Sequence, residues 1–206
     1  MAPRGLWWNG PVRAPMSPSR PRPLAALLVL LTLTLVAAGL LAAPPAAAAP
    51  PPPELRFGSF APVNAAKYQS LRFADDGRTF FVAGQWRCQI GPRPGSVACQ
   101  GRPATAPPRT KGVAITNDLQ GPLWVPPGTT YRFGSQAGFR APVLKVGQRI
   151  TVAGTVCAVP RRNVVSCATN NRAFILSRAW HKFYYPKGDR RHNANPAPKY
   201  LPPHLR

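Results

Sequence analysis

The stretch TVCAVPRRNVVSCA, residues 155–168, reads as a β-hairpin closed by a disulfide. Residues 155–159 and 164–168 are short runs of strand-forming side chains. Between them Pro160-Arg-Arg-Asn163 is turn chemistry: proline pre-sets φ, and asparagine tolerates positive φ. Folding this segment on itself brings Cys157 opposite Cys167. The cross-strand Cα separation there, about 4.5–5.5 Å, lies within what a disulfide tolerates.

A second segment repeats the pattern. Residues 85–90 and 97–100 flank GPRPGS (91–96) and carry Cys88 and Cys99. Phe81-Val-Ala-Gly84 precedes the first cysteine pair much as Thr151-Val-Ala-Gly154 precedes the second, which points to two related halves. No cysteine is left over, as expected for an exported chain stapled by two local disulfides. A four-cysteine zinc site would need a pair spaced by two to four residues, and neither pair is that close.

Outward from the hairpins, further short runs lie between Gly, Pro and Asn residues: 79–82, 113–116, 123–125, 130–133, 143–146, 149–152 and 173–176. That rhythm predicts an all-β domain, a small antiparallel meander, sandwich or barrel-like fold with two disulfide-stapled hairpins. No stretch sustains the 3.6-residue helical period; a single helical turn after Leu176, capped by Ser177, is the best candidate.

The N-terminal part is of another kind. Residues 24–43 form a 20-residue apolar run that follows Arg20 and Arg22 and exits into PPAAAAPPPP. Basic, apolar and small-residue regions in that order make a secretory signal peptide, with cleavage expected between Ala48 and Ala49. An uncleaved membrane anchor is the alternative, since about 20 apolar residues can span a bilayer. Met16 begins a signal of ordinary proportions and is a candidate true start. The organisation expected is thus signal 1–48, proline-rich leader and linker 49–70, β-rich domain 71–185, and a disordered basic, proline-rich tail 186–206 in which His192 and His204 are solvated.

Four of the 27 basic residues and none of the five acidic ones precede the expected cleavage point, so the remainder carries about +18. Such a field favours an anionic envelope polymer or a membrane surface, with a protein partner as the other candidate. Nucleic acid is disfavoured because the basic residues are scattered and form no stripe.

With the cysteine hairpins in place, the chain resembles an uncharacterised family of small exported actinobacterial proteins. The likeness runs through Phe73-Ala-Asp-Asp-Gly77, Phe80, Cys88 and Val97-Ala-Cys99. It continues through Val143-Leu-Lys-Val-Gly147, residues 150–154, Cys157, Val165-Ser-Cys167 and the closing Ala173-Phe-Ile-Leu-Ser-Arg178. Asp75-Asp76-Gly77 stands where the family has a Ser-Pro-Ser-Gly turn. The resemblance implies export and a small β fold, and no established activity.

Groups suited to catalysis are sparse. His181 is the only histidine between signal and tail, and Ser177 could share a helical face with it, yet no GxSxG elbow or neighbouring acid accompanies them. Asp75 and Asp76 are adjacent in a turn, where side chains diverge and stay solvated, unlike the placed carboxylates of a glycosidase. The expectation is a non-catalytic, monomeric protein without metal or cofactor. Arg178, Trp180, His181, Lys182, Tyr184 and Tyr185 are its candidate binding surface. An envelope hydrolase using Ser177 and His181, or a membrane-anchored accessory protein, is the alternative.

Overall fold

The computed structural model describes residues 50–117, 120–186, 188–189 and 193–206. The cleavage residues Ala48 and Ala49, the apolar run and His192 lie outside the described residues. No helix among the described residues is long and apolar enough to cross a membrane.

Eleven strands are described: β1 (Ala61–Pro62), β2 (Thr79–Ala83), β3 (Trp86–Ile90), β4 (Val97–Gln100), β5 (Gly112–Thr116), β6 (Gln120–Val125), β7 (Gln148–Val152), β8 (Thr155–Arg161), β9 (Val164–Thr169), β10 (Arg172–Leu176) and β11 (His181–Tyr184). The fold is all-β. One sheet runs β2-β3-β4-β5-β6; the other runs β7-β8-β9-β10-β11, with β1 added parallel to β7 at its edge. Each set of five is an antiparallel meander in chain order. Neither sheet closes into a barrel.

The internal repeat is therefore a duplication of the whole meander. Across the first sheet the register aligns Phe81, Cys88, Cys99, Val113 and Trp124. Across the second it aligns Ile150, Cys157, Cys167, Phe174 and Phe183. Both rows belong to one core in which the sheets face each other, and Trp124 meets Phe183 with ring centroids 4.9 Å apart. The disulfides Cys88–Cys99 and Cys157–Cys167 join strands two and three of each meander, with Cα atoms 4.0 Å apart in both. Such directly opposite, narrow pairs are where a cross-strand disulfide fits. The Val-Ala-Gly steps run one residue out of phase with this register. Gly84 takes the first position of its two-residue turn at φ 59°, whereas Gly154 takes the second, after Ala153 at φ 45°.

Several expectations are corrected. Residues 130–133 are a covering loop, not a strand, and within 143–146 only Val143 pairs, as a single bridge to Val82. No helical turn follows Leu176. Residues 177–180 instead connect β10 to β11, with the Ser177 N–H donating to the Trp180 carbonyl at 2.9 Å. β11 reads poorly from sequence because its four residues, His-Lys-Phe-Tyr, mix basic and aromatic side chains without an aliphatic run.

The leader packs as well. Glu54 is buried, its carboxylate accepting from Arg161 at 2.8 Å and from His204 Nε2 at 2.9 Å, and its carbonyl accepting from Ser166. The tail is no unpacked appendage: Leu201 and Leu205 are buried against Val164, Ile175 and Trp180 on the outer face of the second sheet. His204 stays exposed, as expected, and also joins the two ends of the domain through Glu54. Charge pairing outweighs polar composition here. Burial tends to raise the Glu54 pKa, but the hydrogen bond from His204, its own amide and the charges of His204 and Arg161 hold it below the usual carboxylate value.

Candidate functional site

The outer face of the first sheet carries the row Phe80, Gln89, Ala98, Ala114 and Leu123. Two alanines leave a shallow floor at its centre, and Tyr131 and Phe133 of the β6–β7 loop settle over Ala98, Ala114 and Val125. Gly112 permits this approach: a Cβ there would stand 2.4 Å from the Cys99 carbonyl and 2.6 Å from the Phe133 ring.

Two polar nodes hold the loop over the sheet. Gln89 donates from Nε2 to the Arg132 carbonyl at 3.1 Å and accepts from the Gly134 amide at 2.9 Å. Asp75 accepts from the hydroxyls of Ser70 and Ser135, both at 2.6 Å, and from the amide of Gln136 at 2.8 Å. Burial pushes the Asp75 pKa upward, but the bonds from Ser135, Ser70 and the amides of Ala137 and Gln136 outweigh it, and the pKa falls below the ordinary value. Asp75, expected to be solvated beside Asp76, is thus a buried anchor. Asp76 beside it is exposed.

Between this loop, the β3–β4 turn and the sheet lies a groove of about 960 Å³. Among the described residues its polar lining includes Arg78, Arg93, Arg132, Gln89 and Tyr131, with Asp76 the one carboxylate. Arg132 donates to Gln136 at 2.8 Å. Arg78 Nε is buried with no hydrogen-bond partner among the described residues. A buried donor left unpaired is costly, and such groups are rare in folded proteins. Burial raises the Tyr131 pKa, while the Gln89 bond and the Arg78 charge draw it down. Chemically this is a broad cleft of guanidinium, amide and hydroxyl groups, suited to a negatively charged ligand. Nothing local in sequence marks it, because its residues come from four separated segments.

The candidate surface read near the C-terminus is divided. Strand alternation sends His181 and Phe183 inward, while Tyr184 packs with Trp180 in the outer cluster. Trp180 is only 8 % exposed and His181 only 2 %. Lys182 and Tyr185 are half-buried and Arg178 is exposed. The six side chains therefore form no common platform. Burial, then the Glu54 charge, push Tyr184 up to about 12.

His181 does not pair with Ser177, whose hydroxyl accepts from the Ala179 amide. Its Nδ1 lies 2.8 Å from the Thr105 hydroxyl and its Nε2 lies 3.3 Å from the Ala194 carbonyl. A carbonyl can only accept, so Nε2 carries the proton and Thr105 donates to Nδ1. The ring stands edge-on to Trp124 at 4.6 Å, and burial lowers its pKa to about 4 despite the Ala194 bond. That leaves a neutral, weakly basic imidazole.

Among the described residues no group of three or more His, Cys, Asp or Glu side chains is placed to hold a metal ion. Comparison with protein-family models, curated proteins and solved structures finds no match to this chain.

Proposed function

We propose that this protein works outside the cytoplasm as a non-catalytic binding module, taking an anionic polymer of the cell envelope into the arginine-lined groove. Two disulfides support an oxidising, extracytoplasmic setting. The observation that carries the ligand class is the buried Arg78 Nε, without a hydrogen-bond partner among the described residues, beside a cleft lined by guanidinium, amide and hydroxyl groups. A phosphate or carboxylate oxygen that draws the guanidinium into the cleft would complete that donor's bonding and meet a positive field.

The test is a calorimetric titration with poly(glycerol phosphate) and with neutral dextran of similar length, at two salt concentrations. The phosphate polymer binds, more weakly at higher salt, and dextran does not. Arg78→Gln lowers affinity about tenfold, the equivalent of one lost charge-assisted hydrogen bond. It leaves the melting temperature unchanged or higher, because a buried donor without a partner has been removed. Equal binding of dextran, or an Arg78→Gln protein with wild-type affinity, overturns the reading.

A further inference from the structure

Leu71 and Phe73 project almost wholly into solvent, at 88 % and 102 % relative exposure. A single exposed apolar residue needs no explanation, but a pair at the tip of an anchored loop does. The loop is bonded at its base: the Asp75 amide donates to the Arg72 carbonyl at 3.0 Å, the Asp76 amide to the Phe73 carbonyl at 3.1 Å, and Ser70 to the Asp75 carboxylate. The Arg72 guanidinium also donates to the Ala137 carbonyl. The tip is thus held out from the domain by a defined hydrogen-bond frame.

A second segment runs beside it along the β2 edge. Tyr68 donates to the Val143 carbonyl at 3.3 Å, Val143 bridges Val82, and Val143 and Val146 are 60 % and 56 % exposed. Lys67 and Arg72 on the first segment, and Arg140 and Lys145 on the second, are all exposed. Residues 67–73 and 137–146 contain no Asp or Glu. The acids that follow the first segment in sequence, Asp75 and Asp76, are respectively buried as the loop's anchor and exposed at the groove.

Projecting apolar side chains among basic ones, without acids, match the water–lipid boundary of an anionic bilayer: the apolar tips enter the headgroup region and the cations meet lipid phosphates. A soluble polyanion would use the cations and leave Leu71 and Phe73 in water. We propose that the Leu71–Phe73 tip and the Val143–Val146 segment dock this protein onto an anionic membrane surface. The proposal stands on residues separate from the groove and does not depend on its ligand.

The test uses the exported protein, wild type and variants sharing the N-terminus found by mass, with vesicles of equal parts phosphatidylglycerol and phosphatidylcholine or of phosphatidylcholine alone. Wild type co-sediments with the anionic vesicles and far less with the neutral ones. Leu71→Ser/Phe73→Ser lowers that binding about tenfold or more, as loss of two inserted side chains requires. Phe73→Trp, a change any fold-competent loop tolerates, shows a blue-shifted emission difference quenched by brominated lipid. A double-serine variant that binds as wild type, a Phe73→Trp emission insensitive to vesicles, or a wild-type dimer that the double-serine change converts to monomer overturns the proposal.

Discussion

Replacing His181 with glutamine and following stability from about pH 7 to pH 5 tests whether the buried imidazole is held neutral by its surroundings. In the folded protein its pKa is lowered from 6.5 to about 4, with burial as the main cause. Between those values the unfolded chain binds a proton that the folded chain refuses. The stabilising contribution is therefore complete above 6.5, declines as pH falls through the window, and levels off near 4. Integrating the two titrations gives a loss of about 2 kcal/mol between pH 7 and pH 5. With a urea m-value of about 2 kcal/mol/M, the midpoint moves down by about 1 M. Glu54 and Asp75, whose pKa values are depressed, lose their contribution only at lower pH, below the usual carboxylate range. His181→Gln retains an amide able to donate to Ala194, and the readout is the slope with pH, not absolute stability. Groups common to both proteins cancel in the comparison. The same slope in His181→Gln as in wild type would falsify the assignment, as would a wild-type midpoint that does not move.

Two further predictions concern the scaffold. Peptide mapping under non-reducing conditions returns Cys88–Cys99 and Cys157–Cys167 and no cross-link between halves; replacing either pair with serine costs about 3 kcal/mol in urea unfolding, by the loop-closure argument for separations of 11 and 10 residues. Leu201→Ala and Leu205→Ala each lower stability by about 2 kcal/mol, read from the same unfolding curves, because both side chains are buried against Trp180 and its neighbours. A tail that did not pack would show no change.

Local signals carried far. The cysteine hairpins are legible because a strand has a period of two and a turn needs particular residues, both of which a dozen positions suffice to display. Asn170 and Asn171 both adopt positive φ in the β9–β10 turn, as their type allows. Legibility failed where polar composition hid burial. Asp75 looks like a solvated acid in sequence and nothing local marks Glu54, yet each is buried by partners at least 60 residues away: Ser135 and Gln136 for the first, Arg161 and His204 for the second. The Arg178–Tyr185 segment looks like one basic-aromatic surface because a list of residues does not show that adjacent strand positions face opposite ways.

What residue order determined alone is the β class, the disulfide hairpins and the kinship of the two halves, since these rest on contacts between near neighbours in the chain. What tertiary structure decided is the groove, the Thr105–His181 pairing and the docking of both ends of the domain. Those depend on which distant segments share a face once two sheets close on a common core, and no local pattern encodes that.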